Sequence, residues 1–275
     1  MSTNGLISKT LFGILAYGFL HFASGQTAAQ NTTQSTTQTS AQSATQPGNV
    51  FTNTMKSISN AIDKIPAVLP PDVAFINAVK ANNVDAVKRA LALKNEISPN
   101  TKDTVFPHHS ALQFACWENA VNVMPLLLAD ARVNVEQLNA ASENALMICS
   151  LKGYLPMTLQ LLEKGAYPNK EGWTPLHYAA SANHGEVIKV LLDNSAYIDA
   201  ESPEKMTPMM MAAQSGYTSV IKLLLDEGAD MTLKNKYGED VIAVADRYKQ
   251  KEIAEGLRAR VAKLKERDAK KPWLR

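Results

Sequence analysis

The sequence predicts an all-α repeat protein, built from about six helix–turn–helix units that stack into a solenoid. Three observations lead to this prediction. The segment Thr174-Pro-Leu-His-Tyr-Ala-Ala180 recurs 33 residues later as Thr207-Pro-Met-Met-Met-Ala-Ala213. The apolar run 187–192 recurs at the same distance as 220–225, and a turn with a short extended piece follows each run. Because one such unit cannot bury its apolar face alone, the units must share one continuous core.

Residues 1–25 have the features of a secretory signal peptide. One basic residue, Lys9, precedes an apolar run from Leu11 to Leu20, and small residues stand at positions −3 and −1 before Gln26. The run is shorter than the about 20 apolar residues of a spanning helix, so cleavage before Gln26 is favoured over a retained anchor. The sequence therefore predicts a periplasmic or secreted protein with no stable membrane insertion after cleavage.

Residues 26–71 are predicted to be a tether. Between Gln26 and Asn49 the chain is almost entirely Gln, Thr, Ser and Ala, without charge. Such a segment buries too little apolar surface to offset the entropy lost on ordering, so we expect it to be disordered. The stretch from Phe51 to Pro71 has a weak helical period and ends in two prolines. It is interpreted as a weak helix or a docking strap.

Weaker copies of the repeated motif lie on both sides of the two strong ones. The six copies start near residues 73, 110, 144, 174, 207 and 240. They define a repeat domain over residues 72–262. The first and last copies are the most degenerate, as expected of end units that face water on one side.

A basic tail is predicted at residues 263–275. From Asp246 to Arg275 there are 11 Lys and Arg against 5 Asp and Glu, although the formal net charge of the whole chain is only +2. So small a net charge argues against a nucleic-acid partner. The basic stretch is interpreted as the solvated face of a helix.

The two strong copies resemble the ankyrin repeat. The resemblance implies a first helix, a turn, a second helix and a β-turn finger in each unit. It also implies a structural role for His177, whose imidazole would hydrogen-bond to Thr174 and to nearby backbone. The residue types fit this fold, because Thr174 can cap the first helix, Gly153 and Gly216 can end first helices, and paired alanines keep those helices thin.

The chain has two cysteines, Cys116 and Cys149, near the ends of first helices in adjacent repeats. Packed helices lie about 8–10 Å apart, whereas a disulfide needs Cα atoms within about 7 Å. Two small buried free cysteines are therefore favoured. A bridge stays open as the alternative, because an oxidising compartment would promote it.

The sequence contains no phosphate-binding glycine loop, no nucleophile elbow and no metal-binding histidine pair on one helix. The sequence thus predicts a protein that is not an enzyme, with no catalytic residues, cofactor or metal. The alternative is a metal- or redox-linked periplasmic stress protein that uses His108, His109, Cys116 and the methionines at 206 and 209–211. Against it, zinc sites need three or four ligands, and methionines at helical spacing usually fill cores. A third reading is a polyanion or membrane-surface binder that uses the basic tail.

The ankyrin resemblance implies that a partner binds the concave face, which is the surface made by the fingers and the exposed side of the first helices. Aromatic residues, Met and Arg on that face are typical of interaction hot spots, and Trp117 and Trp173 are the strongest candidates. The predicted partner-binding residues are Phe106, His108, His109, Trp117, Glu118, Glu143, Lys152, Lys170, Glu171, Trp173, Glu204, Met206, Gln214, Tyr237, Glu239, Arg247 and Tyr248. The predicted function is that of a monomeric, non-catalytic protein-binding module, either a scaffold or an inhibitor or immunity protein for an exported enzyme or toxin.

Overall fold

The computed structural model describes residues 69–105 and 107–270, without the side chain of Asp268. The described residues belong to one compact unit that begins at Leu69. The predicted signal peptide, nearly all of the tether, Phe106 and residues 271–275 lie outside the described residues, so the predictions made for them stay predictions. Within the described part, no helix is both long and apolar enough to cross a membrane.

The described residues form twelve α-helices in six consecutive pairs, which confirms the all-α repeat fold. The first helices of the pairs are α1 (Pro71–Lys80), α3 (Ala111–Trp117), α5 (Ala145–Lys152), α7 (Pro175–Ser181), α9 (Pro208–Ser215) and α11 (Val241–Arg247). The second helices are α2 (Val84–Ala92), α4 (Met124–Ala129), α6 (Leu155–Glu163), α8 (Gly185–Asp193), α10 (Thr218–Asp226) and α12 (Lys251–Ala269). The last helix therefore runs well into the predicted basic tail.

The helices form two layers. In one layer each first helix packs on the next first helix, and in the other layer the second helices contact one another in the same order. Small side chains allow the close approach in the first layer: Ala179, Ala180, Ala212 and Ala213 are fully buried. Larger side chains of the second helices, such as Leu191, fill the space between the layers. The result is one continuous hydrophobic core from α1 to α12.

Side chains cap the first helices where the sequence predicts it. The Thr207 hydroxyl accepts a hydrogen bond from the Met210 N–H at 3.3 Å. At the preceding repeat, the Thr174 N–H donates to His177 Nδ1 at 3.2 Å. His177 Nε2 in turn bonds the Met206 carbonyl at 2.8 Å, which ties two repeats together. The predicted structural role of His177 is confirmed.

The turns after two first helices depend on glycine. Gly153 and Gly216 end α5 and α9 in the left-handed conformation, with φ of 73° and 84°. The ring of His184, from the next repeat, covers Gly153 so closely that an added Cβ would lie 2.3 Å from its Nδ1. His184 Nε2 donates to the Leu151 carbonyl at 3.0 Å. This histidine is therefore a second link between repeats.

The cysteine prediction is wrong, because Cys116 and Cys149 form a disulfide. Their Cα atoms are 4.8 Å apart, much closer than the axes of two packed helices. The prediction equated the distance between helix axes with the distance between Cα atoms. Facing positions of helices lined with small residues come much closer than the axes do, and both cysteines lie on such facing sides of α3 and α5, fully buried.

The fingers are loops that carry an isolated bridge between Lys102 and Ser110 and no named strand within the described residues. Backbone bonds join neighbouring fingers, for example from the Ala140 N–H to the Pro107 carbonyl at 2.8 Å. In the segments that follow the second helices, a polar side chain of one repeat accepts a hydrogen bond from a backbone N–H of the next repeat. The acceptors are Asn100, Glu136, Asn169 and Asp199, and the donors are Asn134, Tyr167, Tyr197 and Asp230.

Candidate protein-binding surface

The repeat architecture places eight of the predicted binding residues in two columns of five positions each. The residue directly before each first-helix cap closes a finger, and the residue eight positions later lies at or near the end of that first helix. From the second repeat to the sixth, the finger column is His109, Glu143, Trp173, Met206 and Glu239. The helix column is Trp117, Leu151, Ser181, Gln214 and Arg247. Both columns belong to the surface made by the fingers and the first helices, which the ankyrin resemblance implies to be the concave face.

An aromatic cluster, here the Trp117 cluster, lies toward the N-terminal end of this face. The ring of His109 stacks on Trp117 with centroids 5.6 Å apart and meets Phe114 edge-on at 5.2 Å. Two ammonium groups cover the cluster, because Lys152 Nζ lies 4.0 Å from the Trp117 ring and Lys80 Nζ lies 4.0 Å from the Phe114 ring. Burial lowers the pKa of Lys152, and the charge of Glu118 opposes that shift.

His109 is part of the wall of the Trp117 cluster and not an exposed contact. Its residue is 6% exposed, and burial lowers the pKa of its imidazole to about 4. His108 is exposed, with its Nδ1 3.1 Å from the Asp103 carbonyl. The sulfur of Cys116 is bonded to Cys149 and so is not a thiolate ligand. Within residues 69–105 and 107–270, no group of three or more His, Cys, Asp or Glu side chains could hold a metal ion.

A buried carboxylate lies next to this cluster. Glu143 is 9% exposed, and its Oε2 accepts a hydrogen bond from Asn139 Nδ2 at 2.8 Å. Its Oε1 accepts a bond from the Tyr178 hydroxyl at 3.0 Å. Burial and the charge of Glu143 both raise the pKa of Tyr178. The carboxylate is thus held at the base of a finger by donors from its own repeat and the next.

The middle of the face is less exposed than the sequence suggests. Trp173 is half-buried, and its ring meets the His177 ring edge-on at 5.4 Å. Met206 is also half-buried, packs against the core and accepts a bond at its sulfur from Asn235 Nδ2 at 3.5 Å. Lys170 Nζ donates to the Ser142 carbonyl at 3.2 Å, and Glu171 is exposed. The Gln214 carbonyl accepts a bond from Gln250.

The C-terminal end of the face carries a second aromatic cluster, here the Tyr237 cluster. Tyr237 and Tyr248 are 59% and 42% exposed, and the Arg247 guanidinium lies 5.4 Å and 5.9 Å from their ring centroids. Arg247 also pairs with Glu239 at 3.0 Å, and Lys236 pairs with Glu204 at 3.1 Å. Five of the predicted residues are therefore brought together here: Glu204, Tyr237, Glu239, Arg247 and Tyr248.

Sequence reasoning missed three members of this surface. Lys80 comes from the first repeat, and Tyr178 and Asn139 hold the buried carboxylate. Asn139 had a usable signal, because Asn stands four residues before Glu both at 139–143 and at 235–239. Lys80 had no signal in the sequence, since its position over Phe114 depends on how the first repeat stacks on the second.

Comparison with known proteins identifies the repeats. A family profile described as ankyrin repeats in three copies matches residues 131–202, 146–235 and 198–268. The chain is 30% identical over 125 residues to the "Ankyrin repeat and KH domain-containing protein mask" of Drosophila melanogaster, which covers 42% of this chain. It is 37% identical over 67 residues, 22% of this chain, to the "Ankyrin repeat-containing protein ITN1" of Arabidopsis thaliana.

The matched region spans 3% of the length of the Drosophila relative and 11% of the Arabidopsis relative. The shared part is therefore the repeats themselves. Each matched segment contains several helices that form ankyrin-type pairs, with the caps, turns and inter-repeat bonds described above. Ankyrin repeats imply a protein-binding module. The chain belongs to the ankyrin repeat family.

Proposed function

We propose that the chain is a non-catalytic binding module that holds another protein on its concave face outside the cytoplasm. The observation that carries this proposal is the Tyr237 cluster, in which two exposed tyrosines flank an arginine. Tyrosine and arginine are among the residues that contribute most to binding energy at protein interfaces. The half-buried Trp117 and Trp173 extend the same face toward the N-terminal repeats.

Two features support a location outside the cytoplasm, either periplasmic or secreted. The first is the signal-like sequence at residues 1–25. The second is the disulfide between Cys116 and Cys149, because structural disulfides form and persist in oxidising compartments. A thiol count on the protein from its native cell, with the sequence of its mature N-terminus, tests this part. Two free thiols together with an intact Met1 would contradict export.

The role of scaffold and the role of inhibitor or immunity protein use the same surface. In both, a monomer presents a preformed face to a folded partner. Hydrogen bonds from Asn139 and Asn235 hold their fingers together, and a preorganised surface loses little entropy on binding. The two roles differ in the effect on the partner, so activity assays on a captured partner separate them.

Site-specific photo-cross-linking tests the proposed face. A benzophenone amino acid replaces Tyr237 in one variant and Tyr197 in the control. Tyr197 is at least as accessible, 69% exposed against 59% for Tyr237, but it lies after the second helix of the fourth repeat, away from the fingers. We expect a discrete adduct with one protein of the exported fraction from position 237 and none from position 197. Adducts of equal yield at both positions, or none at 237, would contradict the proposal.

A further inference from the structure

Two fingers of this protein are built alike, and each ends in a glutamate on the concave face. In the third repeat, Asn139 Oδ1 accepts bonds from the N–H groups of Ala141 and Glu143, both at 2.9 Å. In the sixth repeat, Asn235 Oδ1 accepts bonds from Tyr237 at 2.9 Å and from Glu239 at 3.0 Å. Each asparagine also donates from Nδ2 to Oε2 of its glutamate, at 2.8 Å and 2.9 Å.

The two glutamates differ in what faces them. Arg247, eight residues after Glu239, places one guanidinium nitrogen 3.0 Å and 3.3 Å from the two carboxylate oxygens. The corresponding position after Glu143 is occupied by Leu151, which has no charge. Glu143 receives the Tyr178 hydroxyl instead. The chain thus shows that this finger accepts an arginine, and it supplies the arginine in only one of these two copies.

Glu143 is left with an incomplete set of partners. A carboxylate can accept about four hydrogen bonds, and Glu143 accepts one at each oxygen, both from neutral donors. None of the ion pairs among the described residues involves Glu143. A buried carboxylate without a cationic partner is unfavourable, because burial removes hydration that neutral donors only partly replace. A bound cation would offset that cost.

The surroundings of Glu143 favour a guanidinium. Asn139 Nδ2 also lies 3.3 Å from the His109 ring, which stacks on Trp117, so aromatic surface borders the carboxylate on its N-terminal side. The Tyr178 hydroxyl, from the next repeat, donates to the other carboxylate oxygen. Arginine combines a planar set of donors that matches a carboxylate with a face that stacks on aromatic rings, and a lysine ammonium lacks both properties.

We propose that Glu143 is the recognition point for an arginine side chain of the bound protein. This inference rests on the proposed function, and it adds the chemistry of the partner. The arginine takes, in the third repeat, the part that Arg247 takes in the sixth. Its guanidinium fills the free acceptor sites of Glu143 between the Trp117 cluster and Tyr178.

The test uses a minimal probe and the full chain. Nα-acetyl-arginine methylamide is titrated into the ¹⁵N-labelled protein, and the resonances of the Asn139 side-chain amide and the Glu143 backbone N–H are followed. The control probe is the citrulline analogue, which has the same shape but no charge. We expect saturable shifts with the arginine probe and binding weaker by about tenfold or more with citrulline, the loss typical of a charge-assisted hydrogen bond. Shifts of equal size with both probes, or none with arginine, would overturn the proposal.

Matched variants localise the binding. Glu143→Gln removes the charge at nearly constant volume and is expected to abolish the shifts at Asn139. Glu186→Gln removes an exposed carboxylate of α8, outside the proposed binding face, and is expected to leave them unaltered. If Glu143→Gln fails to fold, the comparison of arginine with citrulline on the unmodified chain decides alone. Cross-linking at position 237 without any response to arginine would refute this inference and leave the proposed function standing.

Discussion

Two histidines, His177 and His184, connect neighbouring repeats by hydrogen bonds to backbone carbonyls. His177 bonds Thr174 within its repeat and the Met206 carbonyl of the next, and it is almost fully buried. Burial lowers the pKa of His177 to about 4. Since the imidazole is neutral in the folded protein at neutral pH, its Nδ1 is an acceptor and its Nε2 a donor. Protonation would remove the acceptor.

This pKa predicts how stability depends on pH. The unfolded chain binds a proton at His177 near pH 6.5, whereas the folded chain binds it only near pH 4. The contribution of neutral His177 to the free energy of unfolding is therefore complete above pH 6.5. It is lost as the pH falls toward 4, and the loss is at most about 3 kcal/mol. In urea unfolding across this range, the variant His177→Gln should show a shallower decrease than the unmodified chain. Equal slopes would contradict the assignment.

Trp173 illustrates a residue with two roles. Its indole packs edge-on against His177 while part of it remains accessible. We expect Trp173→Ala to weaken partner binding by about 2 kcal/mol, as at a hot spot, and to lower the free energy of unfolding as well, because the contact with His177 is lost. The affinity for the partner that cross-linking identifies, measured together with thermal unfolding of the variant, separates the two effects. An unchanged affinity would remove Trp173 from the binding site.

At the scale of the elements, the turns between helices connect neighbouring repeats. The ring of His184 lies directly over Gly153, and Gln250 lies over Gly216 in the same way. A glycine at these positions serves two purposes, since it adopts a positive φ and leaves room for a side chain of the next repeat. The glycine of one unit and the polar side chain of the next therefore act as a pair.

A comparison of two glycines tests this pairing. Gly153 and Gly228 both have positive φ, but an added Cβ meets the His184 ring at Gly153 and nothing within 4 Å at Gly228. Gly228→Ala should cost about 1 kcal/mol from backbone strain alone. Gly153→Ala should cost about 1 kcal/mol more, because His184 must move and loses its bond to Leu151. Denaturant midpoints measure both, and equal losses would contradict the prediction.

For the molecule as a whole, the sequence predicted the fold well and the site only in part. The motif at Thr174 and Thr207 predicts helix capping and helix stacking. Both depend on residues that are close in sequence, and both recur in each repeat. The burial of His109 and Glu143, and the pairing of Cys116 with Cys149, depend on distances between repeats that a one-dimensional pattern does not contain. Exposed Tyr237 and Arg247 were predictable because little packs over the last finger.

The disulfide gives a prediction at the same scale. It closes a loop of 33 residues, so loss of the cross-link increases the entropy of the unfolded chain. The double variant Cys116→Ala, Cys149→Ala is expected to be less stable by about 4 kcal/mol on the loop-entropy estimate. Urea unfolding of the variant against the oxidised chain measures this. Equal stability would contradict the predicted contribution of the bridge.

The position of the bridge also sets the order in which the molecule comes apart. In a repeat protein each unit is held only by its neighbours, so opening starts at the ends and proceeds inward. The covalent link between α3 and α5 joins the second and third repeats into one cooperative block. The fourth to sixth repeats have no such link among the described residues. We therefore expect the amide hydrogens of α9 and α11, next to the Tyr237 cluster, to exchange before those of α3 and α5.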